Sequence, residues 1–232
     1  MERGKCSIML LILLLLLFTA TAGAGIPTNQ VKDTVDRVID ILKSKDLMRP
    51  EKKEQRRAAI RKIVGELFDF DEMSKRTLAL HWQRRTQAER REFVSLFSDL
   101  LERSYINKIE TYTDEKIIYT DESIDREYSV VKSKIITKRN VEVPIDYKLL
   151  KEGNEWKVYD VVIEGVSLVN NYRTQFNKII RSESYEELVK RLKNKQEQAL
   201  FEEKAKWDPG VSLAFTTASE KSLPSSPSYL AL

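Results

Sequence analysis

The spacing of apolar residues changes twice along this chain, and these changes constrain the fold more than any other feature. Apolar residues recur at helical spacing before Lys116, alternate with polar residues from there on, and return to helical spacing at Leu168. A period of 3.6 residues is typical of helices and a period of two is typical of strands. A block of strands between two blocks of helices indicates the α+β class, because α/β proteins alternate the two element types. We therefore predict helices packed around a twisted, mainly antiparallel four-stranded sheet.

The helical regions divide into six predicted helices. Thr28 is the expected N-cap of the first, and Pro50 suits the first turn of the second. Thr86 and Glu89 have the spacing of a capping box at the start of a long fourth helix. The helices are predicted at about 28–47, 50–68 and 71–80, and then from 86, from 168 and from 184.

Four strands are predicted between the helices, at about 116–120, 126–138, 141–150 and 155–164. The turn at 151–154 contains Gly153 and joins the last two strands as a hairpin, which indicates antiparallel pairing. Val143, Ile145 and Tyr147 alternate with polar residues, so the third strand keeps one face in water. The fourth strand is apolar on both faces toward its end, so we expect it to be central or covered on both sides.

The two ends of the chain have compositions unlike the rest. Arg3 and Lys5 precede an unbroken apolar run at 8–18, which small residues follow. This is the three-part form of a secretory signal, and about 16 Å of helix is too short to cross a bilayer easily. We predict a cleavable signal peptide at 1–24, one domain at 25–206, and a disordered tail at 207–232 that is rich in Ser, Thr, Pro and Gly.

Several classes of function are disfavoured by residues that the sequence lacks. Cys6 is the only cysteine and it lies in the predicted signal, while His81 is the only histidine. Disulfide frameworks, cysteine zinc sites and thiol nucleophiles are therefore excluded from the exported chain. Glycine-rich phosphate loops and calcium-binding loops are absent from the sequence. The net charge of +4 is spread along the chain, whereas nucleic-acid binding needs a concentrated basic excess. We expect no cofactor, metal or nucleic acid.

Two sets of charged residues have open interpretations. Asp160 lies in the most apolar strand, where burial could raise its pKa, although contact with solvent or a neighbouring Lys or Arg is the favoured interpretation. Arginine pairs on the helices are typical of solvated faces, among them Arg56 and Arg57. The cluster at the start of the long helix is also a candidate partner-docking site; it contains Arg84, Arg85, Arg90 and Arg91.

The apolar side chains are the strongest signal, and they permit two interpretations. Phe93, Phe97 and Leu101 on the long helix face Val143 and its neighbours on the sheet in the predicted fold. Such a layer is normally a filled core. A helix against a twisted sheet can also enclose a cavity with the same walls, and the sequence pattern does not separate the two.

Three stretches of the sequence resemble the MlaC family of toluene-tolerance and ABC-transporter auxiliary proteins. They are FDFDEMSKR at 68–76, HW at 81–82 followed by TQAERREF at 86–93, and WKVYDVVIEGVSLVNNYRTQF at 156–176. The third is the most specific, and the resemblance covers about 28–195. Ala79 departs from the family pattern, which commonly has glycine before the His-Trp pair, and the tail after Trp207 is longer than usual.

The resemblance implies a periplasmic α+β protein with a deep apolar pocket between sheet and helices. Such a protein carries phospholipid between an outer-membrane lipoprotein complex and an inner-membrane ABC transporter with an MCE-domain subunit, and we expect a monomer. The pocket-lining residues expected here are Phe93, Phe97, Leu101, Tyr105, Val143, Ile145, Tyr147, Trp156, Val158, Val166, Leu168, Val169 and Tyr172.

Two other functions remain as alternatives. One is an enzyme of the cone-shaped helix-plus-sheet type, which would use Asp160 as a general acid or base on an apolar small molecule. The other is an adaptor that docks to membrane complexes, has a filled core and binds no lipid.

Overall fold

The computed structural model describes residues 25–201, which form six α-helices and one five-stranded sheet. The helices precede and follow the sheet in the chain, as the change of apolar spacing predicts, so the α+β class is confirmed. The predicted signal peptide at 1–24 and the predicted tail at 207–232 lie outside the described residues. Among the described residues, no helix is both long enough and apolar enough to cross a membrane.

The helices begin and end close to the predicted positions. The capping box is confirmed: the Glu89 N–H donates to Thr86 Oγ1 at 3.2 Å, and the Thr86 N–H donates to the Glu89 carboxylate at 2.6 Å. Two short 3₁₀ segments, Pro50–Lys52 and Ala79–Arg84, separate longer helices. The α-helices are α1 (Ile26–Lys43), α2 (Lys53–Leu67), α3 (Phe70–Leu78), α4 (Gln87–Glu110), α5 (Leu168–Ser182) and α6 (Tyr185–Phe201).

The start of α1 differs from the prediction that Thr28 caps it. The helix begins at Ile26 with Pro27 in its first turn, and Thr28 lies inside it. Both the N–H and Oγ1 of Thr28 donate to the carboxylate of Glu122, at 2.7 and 2.5 Å. A carboxylate from the sheet therefore accepts a hydrogen bond from an N–H group in the first turn of the helix. A local capping side chain would otherwise have this role.

The sheet is an antiparallel meander in the order β1-β2-β3-β4-β5. The antiparallel arrangement is as predicted, but the predicted number of four strands is wrong. Gly165, at φ 83°, reverses the chain so that Val166 and Ser167 pair back onto the end of the fourth strand. The strands are β1 (Lys116–Asp125), β2 (Tyr128–Ile136), β3 (Glu142–Glu152), β4 (Glu155–Ile163) and β5 (Val166–Ser167).

A bulge in β4 explains why this strand is apolar on both faces. Lys148 of β3 pairs with Asp160 and Leu149 pairs with Val158, so Tyr159 is the extra residue. The bulge changes which alternate positions face the helices: Trp156 and Val158 do so before it, and Val161 and Ile163 do so after it. Bulges increase the local twist of a sheet.

The core is divided between two large clusters. A helical cluster lies among α3, α4, α5 and α6 and contains Phe93, Phe97 and Phe176, all fully buried. A sheet cluster lies between α1 and the inner face of the sheet and contains Val31, Val143 and Trp156. The second half of α4 extends past the helical cluster, and this leaves space between it, the α1–α2 hairpin and the sheet.

Candidate functional site

An apolar cavity of about 470 Å³ occupies this space. Pockets for small ligands generally measure about 300–1,000 Å³ and have predominantly apolar walls. The wall combines one stripe from each of three helices with the inner face of the sheet. The principal apolar residues are Val35, Val38, Ile39 and Leu42 of α1, Ile60, Val64 and Leu67 of α2, Leu101, Tyr105, Ile106 and Ile109 of α4, and Ile117, Ile135, Ile145, Tyr147, Val161 and Ile163 of the sheet.

We place the mouth of the cavity between α2 and α4, because exposed and charged residues of these two helices line it there. Arg61 and Gly65, on the α2 side of the wall, are exposed to solvent. Across from them α4 contributes Ser98, Asp99 and Glu102. The Nε and Nη2 atoms of Arg61 both donate to the Glu102 carboxylate at 2.5 Å, so one bidentate ion pair crosses this mouth.

A second set of ion pairs joins the same two helices farther along. Arg56 Nη2 and Arg57 Nη2 donate to the two oxygens of Glu110, at 2.7 and 2.8 Å. Burial raises the pKa of Glu110, but the hydrogen bonds and charges of Arg57 and Arg56 outweigh it and hold that pKa below its usual value. The predicted solvated face of α2 is therefore wrong for these two arginines, because they reach across to α4.

Two side chains that can form hydrogen bonds also lie in the cavity wall, the buried Lys108 and the half-buried Tyr147. Lys108 is a wall residue, only 6% exposed, and its Nζ lies 5.0 Å from the ring centroid of Tyr105. Burial lowers the pKa of Lys108 to about 8. Burial likewise raises the pKa of Tyr147 to about 12, so this phenol is neutral at physiological pH.

The predicted pocket residues fall into two groups in the structure. Leu101, Tyr105, Ile145, Tyr147 and Leu168 line the cavity. The others lie outside its wall, in the helical cluster (Phe93, Phe97, Val169, Tyr172), in the sheet cluster (Val143, Trp156, Val158) and in β5 (Val166).

The aromatic face of the first half of α4 is unavailable to the cavity because other helices cover it. The Phe97 ring makes edge contacts with Tyr172 and Phe176 of α5, with centroids 5.3 and 5.7 Å away. No cavity role was predicted for α1 or α2, although their apolar stripes, including Val38 and Val64, form much of the wall. The helical spacing of these apolar residues is visible in the sequence, but it is the same whether the residues face a filled core or a cavity.

Asp160, the candidate acid or base, is held by three groups of its own chain. It is 3% exposed and accepts hydrogen bonds from Ser167 Oγ at 2.7 Å, the Val169 N–H at 3.0 Å and Lys148 Nζ at 3.2 Å. It lies outside the cavity wall and anchors the first turn of α5 to β4. This geometry gives Asp160 a structural role, with the Lys partner that the sequence analysis favoured.

The lone histidine and the arginine cluster also have identifiable contacts. His81 Nε2 lies 3.1 Å from Asn177 Oδ1 and so links the second 3₁₀ segment to α5. Arg85 packs over the Tyr185 ring, and Arg90 donates to the carbonyls of Trp82 and Gln83. Arg84 and Arg91 are exposed. Docking therefore stays a prediction for these four residues, two of which already stabilise the fold.

The fold and the cavity together define a class of protein. A sheet and three helices enclose an apolar cavity with charged residues at its mouth. These are the features of a protein that binds an apolar ligand. The model of the MlaC protein family matches residues 32–194, and this chain belongs to that family.

Individual relatives agree with this assignment. The chain is 27% identical over 120 residues to the toluene tolerance protein Ttg2D of Pseudomonas putida, covering 51% of this chain and 56% of the relative. It is 28% identical over 122 residues to the intermembrane phospholipid transport system binding protein MlaC of Haemophilus influenzae, covering 50% and 57%. The chain thus matches little more than half the length of these curated relatives.

A solved structure is similar over nearly its whole length. It is a phospholipid-binding protein from Ralstonia solanacearum in complex with a phospholipid. The TM-score is 0.67 at 25% identity, and the alignment covers 76% of this chain and 99% of the solved chain.

Proposed function

We propose that this protein is a periplasmic carrier that binds phospholipid with its acyl chains in the cavity between α1, α2, α4 and the sheet. The observation that carries the proposal is the apolar cavity of about 470 Å³ in a member of the MlaC family. The phospholipid complex of the similar Ralstonia solanacearum protein supports the same ligand class.

The physical chemistry of the cavity suits a lipid tail. Each methylene moved from water into an apolar site gains about 0.8 kcal/mol, so ten of them offset roughly 8 kcal/mol of the cost of leaving a bilayer. The mouth carries Arg61, Asp99 and Glu102, which gives a head group polar surroundings while the tails are enclosed.

The proposal includes a location and partners. The Haemophilus influenzae relative is named as the binding protein of an intermembrane phospholipid transport system. By this similarity we propose export through a cleavable signal at 1–24 and exchange of lipid with an outer-membrane lipoprotein complex and an inner-membrane MCE-domain ABC transporter. A carrier of this kind acts as a monomer and performs no chemistry on its cargo.

Mass spectrometry of organic extracts tests the ligand. The protein is purified without detergent from a membrane-rich bacterial host, extracted with chloroform and methanol, and compared with a secreted protein of similar size purified in parallel. We expect diacyl phospholipid in the extract of this protein at a level approaching one per chain. An extract that contains no more phospholipid than the control would contradict the proposal and favour the adaptor alternative.

A further inference from the structure

Arg61 is the exposed cation of the cavity wall. Among the described residues that line the cavity, Arg61 and Lys108 are the only two that carry a positive charge. Lys108 is buried, whereas the side chain of Arg61 is 60% exposed. The guanidinium of Arg61 therefore lies between the apolar cavity and water, which is where the head group of a lipid lies when its acyl chains fill the cavity.

The partner of Arg61 is a carboxylate, bound in a geometry that also suits a phosphate. Arg61 Nε and Nη2 donate to the two different oxygens of Glu102, both at 2.5 Å. The planar fork of a guanidinium binds two oxygens of a carboxylate or of a phosphate in the same bidentate manner. A phospholipid phosphate has at least two such oxygens and a negative charge, so it can replace Glu102 on Arg61 without loss of either hydrogen bond.

This exchange of partners is not expensive. The guanidinium of Arg61 is open to solvent, and ion pairs at a protein surface contribute only weakly to stability. Burial lowers the pKa of Arg103, and the negative charges of Asp99 and Glu102 oppose this shift, so Glu102 has a second cation nearby. Glu102 therefore keeps a favourable electrostatic environment when Arg61 turns to a phosphate.

The space beside Arg61 can hold a polar head group. Gly65 lies one helical turn after Arg61, and a Cβ atom at this position would meet no atom outside the local helix backbone within 4 Å. Gly65 and Ser98 line both the apolar cavity and a second cavity of about 370 Å³ beside it. The charged residues in the wall of this second cavity are Asp69, Asp71, Glu152 and Lys157. The head group beyond the phosphate can extend into this polar space.

We propose, resting on the lipid binding proposed above, that Arg61 binds the phosphate of the lipid head group and that Glu102 occupies the same guanidinium when no lipid is bound. Glu102 thereby competes with the phosphate for Arg61. The protein then prefers lipids that carry a phosphate over uncharged diacylglycerol, and the Arg61–Glu102 ion pair limits this preference. If the pair were only a latch across the mouth, removing either partner would have the same effect.

Two short-chain lipids that differ only by a phosphate test the preference: dioctanoylphosphatidic acid and dioctanoylglycerol. Copurified lipid is removed on a hydrophobic resin, and each probe is titrated into the protein by calorimetry. We expect the phosphate-bearing lipid to bind about tenfold more tightly, since a hydrogen bond to a charged group contributes this much or more. Inorganic phosphate, titrated alone, should give no heat of binding, because it lacks the acyl chains that the cavity holds.

The two partners of the ion pair should have opposite effects on phosphatidic acid. Glu102→Gln removes the competitor of the phosphate and should strengthen binding by about threefold, the change that corresponds to a weak surface ion pair. Arg61→Gln should weaken binding by about tenfold and abolish the preference. Diacylglycerol should bind to both variants within about twofold of its affinity for the unsubstituted protein.

Arg37→Gln is the matched control. Arg37 Nη1 donates to Glu66 at 2.7 Å and forms a similarly exposed ion pair between α1 and α2, but both residues lie outside the cavity wall. This variant should bind both probes as the unsubstituted protein does. All three variants should fold, because each loses a surface ion pair and glutamine is a good helix former.

The outcomes separate this inference from the proposed function. If both probes bind equally to the unsubstituted protein, Arg61 does not bind the head group, although lipid binding stands. If Arg61→Gln and Glu102→Gln change both probes in the same direction, the pair is only a latch and the inference fails. It also fails if inorganic phosphate alone binds as tightly as phosphatidic acid. If neither lipid binds, both the inference and the proposed function are contradicted.

Discussion

Two adjacent leucines of α4 provide a matched test of whether the space beside this helix is used by a ligand. Leu100 and Leu101 are equally buried and both belong to the helical cluster, but only Leu101 also lines the cavity. We expect Leu101→Trp to lower the lipid recovered per protein and to cost less stability than Leu100→Trp, because the larger side chain can extend into the cavity. Leu100→Trp should instead destabilise the protein and leave the lipid in place.

The expected magnitudes follow from the two environments. An indole is larger than an isobutyl group by the space of several methylenes, and displacing about four of them at ~0.8 kcal/mol each costs about 3 kcal/mol of lipid affinity. This corresponds to a loss of more than about a hundredfold. Overpacking a filled core typically costs about 1–3 kcal/mol of folding free energy, which is the expected effect at Leu100.

The assay measures both quantities on each variant. Urea denaturation gives the free energy of unfolding, and mass spectrometry of organic extracts gives phospholipid per chain. If Leu101→Trp loses as much stability as Leu100→Trp and keeps its lipid, the second half of α4 is ordinary core and the cavity assignment fails.

Three further predictions concern the fold. Ala79 has φ 48° and ψ −120°, which only glycine adopts freely, so Ala79→Gly should raise the free energy of unfolding by about 1 kcal/mol; a decrease would contradict this strain. Because the pKa of Glu110 is lowered in the folded protein, its ion pairs stabilise the fold above pH 4.5, and this contribution is lost as the pH falls through the lowered pKa. In urea denaturation, the free energy of unfolding of Glu110→Gln should therefore fall less on acidification than that of the unsubstituted protein. An equal fall in both would refute this prediction. Removing 207–232 should leave the melting temperature and bound lipid unchanged in a thermal scan and lipid extraction, and a fall of several degrees would show that the tail docks on the domain.

Local signals in the sequence were sufficient to predict the main elements of the fold. The capping box at Thr86, the hairpin at Gly153 and the change of period at Lys116 each depend on residues close together in the chain. The fifth strand was missed because two residues are too short for a period of two to be visible. The cap of α1 was missed because its acceptor, Glu122, lies far away in the sequence.

The site was less predictable for a related reason. A stripe such as Leu101 and Tyr105 has the same pattern whether it faces side chains or empty space, and the difference depends on how far α1 and α2 are held from α4. Arg56 and Arg57 contribute to that separation by pairing with Glu110 across the gap. Nothing in the local sequence of α2 distinguishes these arginines from a solvated face.

Photolabelling can locate the acyl chain in the protein. A phospholipid with a photoactivatable diazirine on its acyl chain is exchanged into the protein, activated by light, and mapped by peptide mass spectrometry. We expect adducts on the cavity wall, at residues such as Val38, Val64 and Tyr105, and none on the filled helical cluster at Phe93 or Phe176. Adducts confined to the outer face of the sheet, or a pattern unrelated to the cavity, would contradict it.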